Sequence, residues 1–145
     1  MDQIRIAQPP LSGGLPETLG WAFDAFEATR FAARNCEDRV PELFATFMMS
    51  AGAAVEGRNA VVDAPSFPLG RRAAPRSELP AGGATDVEQI ADELTALTEV
   101  LAERLAQAAV VARSAGDRSA CDNAAESAHR IRRLLARASN ETAAR

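Results

Sequence analysis

The stretch that decides the fold is residues 87–138, VEQIADELTALTEVLAERLAQAAVVARSAGDRSACDNAAESAHRIRRLLARA. It contains two runs of apolar residues that alternate steps of three and four positions, a spacing that keeps one face of a helix toward a partner. The two runs are Val87, Ile90, Leu94, Leu97 and Leu101, followed by Cys121, Ala124, Ala128, Ile131, Leu135 and Ala138. Only the short break between Ser114 and Asp117 separates them, so residues 85–138 are predicted to form an antiparallel helical hairpin.

The ends of these two helices carry their own signals. Thr85 and Glu88 form a capping box, in which a hydroxyl and a carboxylate satisfy orphan N–H groups, and they predict a helix start. Gly116 is predicted to end this helix as a left-handed cap, and Asp117 or Ser119 is predicted to begin the next one. The short turn then sets the expected pairs across the hairpin, Leu101 with Ile131 and Leu97 with Leu135.

A first hairpin is predicted over residues 15–62. Pro16 suits the first helical position, where its missing N–H costs nothing, and Pro41 marks a stop and restart, with one kinked helix as the alternative. The predicted core face of the first helix is Leu19, Ala22, Phe26, Thr29, Ala33, Cys36 and Val40, and that of the second is Phe44, Phe47, Met48, Ala51, Val55 and Val62. Gly52 and Gly57 weaken the second helix by roughly 1 kcal/mol each relative to alanine. We expect them to allow close helix approach.

The two hairpins are predicted to pack together as one all-α domain that takes in the whole chain. Residues 63–84 are rich in proline, glycine and arginine and are predicted to be a linker between the hairpins. With an arm at 1–14 and a frayed tail at 139–145, the expected architecture is a four-helix bundle formed from two antiparallel helical hairpins. An up-down-up-down order would place Cys36 and Cys121 at one end of the bundle. A linker that spans the bundle would place them at opposite ends.

Composition limits the classes of function. The 145 residues carry a formal charge of −4, which makes general nucleic-acid binding unlikely. The chain contains no lysine and no tyrosine, so a Schiff-base lysine, a phosphate-loop lysine and a tyrosine acid are all excluded. No apolar run approaches the roughly 18 residues that a membrane span needs, and the first residues lack the apolar segment of a signal peptide. The two cysteines are spaced for neither a disulfide framework nor a metal site, so we expect a cytoplasmic protein.

Three groups of side chains suggest chemistry or a ligand. Glu126 and His129 form the E-x-x-H pattern of di-iron bundles, but their spacing puts them on the solvated side of the last helix. Cys36 and Cys121 lie on apolar seams, where cysteine behaves as a small buried hydrophobe. An aromatic and methionine-rich group in the first hairpin could line an apolar pocket, although core packing is the commoner explanation. This group is Phe23, Phe26, Phe44, Phe47, Met48 and Met49.

Two surface features suggest a partner. Arg130, Arg133 and Arg137 lie at helical spacing on the outer side of the last helix, where they could bind phosphate, nucleic acid or an acidic partner, or pair with carboxylates of the preceding helix. Phe31 lies among charged residues, away from the core face of the first helix, and Trp21 lies on the flank toward it. Either the chain's own arm or linker covers this patch, or a second copy or another protein does.

The sequence therefore predicts a non-catalytic helical bundle, without a cofactor, that acts by protein–protein interaction as a homodimer, adaptor or regulator. The alternative is a small-molecule sensor or carrier with an apolar pocket in the first hairpin. A third interpretation is a metal-dependent enzyme built around Glu126 and His129. The residues predicted to contact a partner are Trp21, Phe31, Arg130, Arg133 and Arg137.

Overall fold

The computed structural model describes residues 14–68 and 87–143, with side chains through residue 138. It contains the helices α1 (Leu15–Cys36), α2 (Phe44–Val62), α3 (Val87–Val111) and α4 (Ala115–Ala143), with a short 3-10 turn at Pro41–Leu43. Within these ranges there is no strand, and the helices pack as two antiparallel hairpins. The predicted all-α four-helix bundle is confirmed. Three predicted features lie outside the described residues: residues 1–13 of the arm, the Thr85 cap, and residues 69–84 of the linker.

The predicted core face of α1 is almost completely buried. The six residues of this face that lie within α1, the first Leu19 and the last Cys36, have no exposed surface. Val40, beyond the end of the helix, is partly buried. Thr29 is tolerated in this apolar setting because its hydroxyl donates to the carbonyl of Ala25 at 2.8 Å. The break before Pro41 is confirmed as well, since α1 ends at Cys36 and the chain restarts through the 3-10 turn.

The predicted core face of α2 is wrong in part. Phe47 and Ala51 are buried, but Phe44, Met48 and Val62 are exposed. The buried face consists instead of Phe47, Ser50, Ala51, Ala53, Ala54, Gly57 and Val61. The physical reason is that α2 lies between α1 and α4, where small residues let three helices draw together. Gly57 shows this directly, because a Cβ added there would fall within 2.8 Å of carbons in the Phe26 ring.

The α3–α4 hairpin follows the predicted register. All six predicted seam residues of α4 are buried, and an ion pair between Arg132 and Glu99 at 3.5 Å lies between the two expected leucine and isoleucine pairs. On α3 the buried residue of the middle turn is Thr98, whose hydroxyl donates to the carbonyl of Leu94, and Leu97 is only partly buried. The α3 face is thus rotated slightly from the expected one.

The turn between α3 and α4 differs from the prediction. Ser114, rather than Asp117 or Ser119, caps α4, because its hydroxyl oxygen accepts the backbone N–H of Asp117 at 3.0 Å. Gly116 therefore lies inside the first turn of α4 and is not a left-handed cap. Its lack of a side chain serves packing, since an added Cβ would lie 2.9 Å from a ring carbon of Pro65. At its other end, α4 extends beyond the predicted limit at residue 138 to Ala143.

The helix order of the bundle follows from contacts between α2 and α4. Ser66, just after α2, donates to the Asp117 carboxylate near the start of α4, and Glu56 in mid-α2 pairs with Arg130 further along α4. The two helices are therefore antiparallel, α1 runs parallel to α4, and the predicted up-down-up-down order is wrong. The end of α2 and the start of α3 therefore lie at opposite ends of the bundle, and so do Cys36 and Cys121.

None of the four described helices is both long enough and apolar enough to span a lipid bilayer.

Candidate functional site

Exposed apolar side chains are concentrated on the N-terminal half of α2. Phe44 is 42% exposed, Met48 48% and Met49 53%, and Ala45 and Gly52 are exposed beside them. Steps of four residues connect Phe44 to Met48 and Gly52, and Ala45 to Met49, so the five form one continuous face about 12 Å long. We call this set of five residues the α2 stripe.

The α2 stripe is exposed as a consequence of how α2 packs. The inner side of the helix is occupied by small residues such as Ala54 and Gly57, which bring α1 and α4 close. Phe47 and Val61 are buried beside them, and the bulky apolar residues Phe44, Met48 and Met49 are left on the outer side. Fully burying one such side chain stabilises a fold by roughly 1.5 to 3 kcal/mol, and this chain realises only part of that gain at Phe44, Met48 and Met49, which are about half exposed. Contiguous exposed apolar surface of this kind is typical of interaction sites.

Gly52 makes a gap within the α2 stripe. A Cβ added at Gly52 would meet nothing within 4 Å, in contrast to Gly57 on the same helix. The predicted close helix approach is thus confirmed within the chain for Gly57 and wrong for Gly52. The exposed backbone at Gly52, one turn beyond Met48, leaves room for a side chain or a helix from outside.

Two arginines of α4 lie at the levels of the α2 stripe along the bundle axis. The pair between Glu56 and Arg130, at 2.8 Å, fixes the register of the two helices. Residues seven apart lie on nearly the same face of a helix, because seven residues are close to two turns. Since α2 and α4 are antiparallel, Met49, seven residues before Glu56, lies at the level of Arg137, seven residues after Arg130. Arg133 lies one turn beyond Arg130, at the level of Gly52, and it is 61% exposed.

Among the residues whose side chains the structure describes, the carboxylate partners of these arginines are exposed or absent. Arg133 lies 3.4 Å from Glu126, with both side chains 61% exposed, and exposed pairs contribute only about 0 to 1 kcal/mol. Arg137 forms no ion pair with any side chain that the structure describes. Of the pairings expected between α4 arginines and α3 carboxylates, the structure shows Arg132 with Glu99. Arg130, Arg133 and Arg137, which we call the basic edge, lie on one outer side of α4, and the first two are paired with Glu56 and Glu126. Glu141 follows Arg137 by one helical turn in the sequence.

The opposite half of the α2–α4 face is polar. An open groove of about 510 Å³ runs from the Glu56–Arg130 pair toward the start of α4. It is lined by Glu56, Asn59, Ala60, Asp63, Gly116, Ser119, Ala120 and Asn123. The heptad step that relates Met49 to Glu56 also relates Glu56 to Asp63, so one outer face of α2 changes from apolar to polar along its length. Along this row the apolar residue is Met49, whereas Val62, on the row of Phe44, is exposed at the other end of α2.

The structure places the predicted aromatic residues of α1 differently. Trp21 is 6% exposed and belongs to the buried core, so it offers little surface to a partner. Phe31 is partly exposed, and the guanidinium of Arg30 lies 4.4 Å from the centre of its ring. Phe67, in the part of the predicted linker that the structure describes, contacts Phe23 at a ring-centre distance of 5.8 Å.

A charge network between α1 and α2 lies on the far side of α2 from α4. Glu27 accepts from Arg58 at 2.7 Å and from Arg30 at 3.1 Å. Burial alone would raise the pKa of Glu27, but the hydrogen bonds and charges of the two arginines outweigh it, and the pKa is lowered. This network is satisfied within the chain. In the basic edge on α4, Arg133 pairs only with the exposed Glu126, and Arg137 has no ion pair with a side chain that the structure describes.

The side chains that the sequence suggested as nucleophiles or metal ligands lie in surroundings that do not suit those roles. Both cysteines are buried, and burial raises the pKa of each thiol to about 11, which is the opposite of what a nucleophile needs. Glu126 is exposed and paired with Arg133, and His129 is partly exposed on α4. Among the described residues there is no group of three or more side chains that could hold a metal ion.

The sequence prediction missed the α2 stripe because it assigned Phe44 and Met48 to the core and treated Met49 as part of an internal pocket. The signal that could have found it is the presence of two apolar faces on α2. One consists of small residues, from Ser50 to Gly57, and the other of bulky ones. A helix between two neighbours buries the small face first, since small residues permit the closest approach.

Comparison with known proteins gives no assignment. Neither protein-family profiles, nor curated proteins, nor solved structures give a match to this chain.

Proposed function

We propose that this protein is a non-catalytic helical bundle that acts by protein–protein interaction, with the α2 stripe as its contact surface. The observation that carries the proposal is the adjacent exposure of Phe44, Met48 and Met49 around the open backbone of Gly52. Aromatic residues and methionine are enriched at protein interfaces. Methionine also adapts its shape to different partners, because its side chain is unbranched and flexible.

Binding has more support than catalysis from the remaining side chains. The thiols of Cys36 and Cys121 are buried and hard to ionise, and they lie at opposite ends of the bundle. His129 is eight residues from Cys121 on the same helix, about 12 Å along its axis, which is too far for a nucleophile and its base. Because both cysteines are free thiols, the proposal includes a reducing compartment such as the cytoplasm.

The sensor or carrier alternative has less support. It requires the aromatic and methionine-rich group of the first hairpin to enclose a ligand. Phe26 and Phe47 are instead buried in the core, whereas Phe44, Met48 and Met49 lie on the outside of α2. An outward-facing set of this kind suits a flat protein contact better than an enclosed small molecule.

The proposal is tested by photo-crosslinking from a single position in cells that express the full chain. A benzophenone amino acid replaces Met49 in one variant, and Val110 in the control. Val110 is 83% exposed but lies near the end of α3, away from the α2 stripe. We expect a defined protein adduct from position 49 and none of that size from position 110.

An adduct of twice the chain mass indicates a homodimer, and one of another mass indicates a different protein; both support the proposal. The same adducts from both positions, or none from position 49, would contradict it. Sedimentation velocity of the purified protein at rising concentration checks the homodimer independently. A Met49→Glu variant in that measurement shows whether the α2 stripe is the surface involved.

A further inference from the structure

We propose that Met48 and Met49 form a reversible oxidation site, at which a peroxide converts both thioethers to sulfoxides and thereby weakens binding at the α2 stripe. The proposal rests on the proposed function and adds the regulation of the same surface. It follows from three features of the described residues: the exposure of both methionine side chains, the burial of both cysteines, and the position of the methionines within the α2 stripe.

Both methionine side chains reach solvent. Met48 is 48% exposed and Met49 is 53% exposed, and the two are consecutive residues on the outer side of α2. Exposure is one of the properties that decide which sulfur atoms of a protein are oxidised. An oxidant in solution therefore reaches both side chains without any opening of the bundle.

The cysteines are poor competitors for the oxidant. Cys36 and Cys121 have no exposed surface, and burial raises the pKa of each thiol to about 11. A pKa near 11 leaves roughly one thiol in ten thousand ionised at pH 7, and the thiolate is the form that reacts. A thioether reacts without ionising, so we expect oxidation at Met48 and Met49 before either cysteine.

Each oxidation is a two-electron step that transfers one oxygen atom. The methionine sulfur attacks one oxygen of the peroxide, an S–O bond forms as the O–O bond breaks, and the other oxygen takes up the proton and leaves as water. The product is a sulfoxide, which is polar and chiral where the thioether was apolar. Methionine sulfoxide reductases reverse the step, since two thiols are oxidised to a disulfide and the oxygen atom leaves as water.

Oxidation changes the α2 stripe more than it changes the fold. About half of each methionine side chain is already exposed, so the new oxygen can face solvent while the buried face of α2, from Phe47 to Val61, is unchanged. A partner that covers Met48 and Met49 must instead bury two polar groups in an apolar contact. An unpaired buried acceptor is costly, and the expected loss of affinity for the pair is at least about tenfold.

The first measurement is mass spectrometry of the full chain treated with increasing hydrogen peroxide. Cleavage after arginine separates the sulfur atoms, because residues 40–58 contain both methionines, 35–39 contain Cys36 and 119–130 contain Cys121. We expect two oxygen atoms on peptide 40–58 before any on the other two peptides, an unchanged far-UV circular dichroism spectrum, and full reversal by the reductases. Earlier oxidation of either cysteine, or loss of helix as the methionines react, would overturn the proposal.

The second measurement is photo-crosslinking from Ala45, an exposed residue of the α2 stripe. Purified protein with a benzophenone amino acid at this position is oxidised, freed of peroxide and irradiated in a lysate of the cells that express it, so the partner itself is not oxidised. We expect the yield of the defined adduct to fall at least about tenfold on oxidation and to return after reductase treatment. The matched control carries Met48→Leu and Met49→Leu, which keeps an apolar surface of similar volume without an oxidisable sulfur, and its yield should stay constant.

The outcomes separate this proposal from the proposed function. Absence of any adduct from the untreated protein would contradict the proposed function, and this proposal with it. An adduct whose yield is unchanged when both methionines are oxidised would overturn the oxidation site and leave the interaction surface intact. An equal fall in the leucine variant would also overturn it, because the loss would then come from oxidation elsewhere in the chain.

Discussion

Two glycines on α2 offer a matched test of how the bundle is packed, because the same substitution should have opposite effects at each. Gly57 faces the buried ring of Phe26, and an added Cβ would fall within 2.8 Å of its carbons. Gly52 faces open space, with nothing within 4 Å. We predict that Gly57→Ala destabilises the protein relative to Gly52→Ala.

The magnitude follows from two contributions. Replacing glycine by alanine in a helix interior stabilises the fold by roughly 0.5 to 1 kcal/mol, since the unfolded chain loses freedom. Both variants share this gain, so it cancels when they are compared. Forcing a methyl group against a fully buried ring in a packed core costs typically about 1 to 3 kcal/mol. The free energy of unfolding should therefore be about 1 to 3 kcal/mol lower for Gly57→Ala than for Gly52→Ala.

The assay is urea denaturation followed by far-UV circular dichroism, which compares both variants with the wild type. Gly52→Ala should lie slightly above the wild type in the free energy of unfolding. A Phe26→Leu substitution combined with Gly57→Ala relieves the contact, so a double-mutant cycle should show a favourable coupling between the two changes. If Gly57→Ala proves as stable as Gly52→Ala, Phe26 does not pack on Gly57 and the α1–α2 register is wrong.

Two further predictions concern the ends and the middle of the bundle. Ser66 donates to the Asp117 carboxylate through both its hydroxyl, at 2.6 Å, and its backbone N–H, and these hydrogen bonds lower the pKa of Asp117. The stabilisation is therefore present above the ordinary aspartate pKa of about 3.9 and is lost as pH falls through the lowered value, so Asp117→Asn should be less stable than the wild type at neutral pH and converge with it in acid. Denaturation curves at several pH values check this, and a constant difference at every pH would exclude the mechanism. Ile131→Ala should cost about 2 to 5 kcal/mol, because Ile131 is fully buried, while Leu97→Ala should cost less, because Leu97 is only partly buried. Equal losses in thermal or urea melts would place Leu97 in the core after all.

The fold was predictable where one apolar face dominates a helix. On α4 the large apolar residues, such as Ile131, lie on one side, and on α1 the spacing of Leu19 and Phe26 identifies the buried face although Trp21 and Phe31 lie off it. The α3–α4 register was predictable for the same reason, since a short turn leaves the two seams little freedom. The Ser114 cap was missed because Asp117 and Ser119 also suit that position. Only the three-dimensional contact with Pro65 shows why Gly116 lies within the helix.

The candidate site was not predictable from the same spacing rule. On α2 nearly every position is apolar or small, so periodicity does not say which side faces inward. The answer depends on how many helices must approach α2, and that depends on the order of the bundle. A 22-residue linker permits either order, and only contacts such as Ser66 with Asp117 distinguish them. The placement of Arg137 at the level of Met49 follows from this order too, because it requires α4 to lie antiparallel to α2.

The exposure of Met48 and Met49 is not required by the fold. A polar side chain at either position would extend into solvent from the outer side of α2 without disturbing the small residues that hold α1 and α4 together. The isolated bundle covers only about half of each methionine, and it accepts an apolar surface that promotes association. The same helix keeps glycine at position 52, where alanine would favour the helix and meet no obstacle. In the proposed function, a partner that covers Gly52 and packs against Met48 and Met49 accounts for both choices.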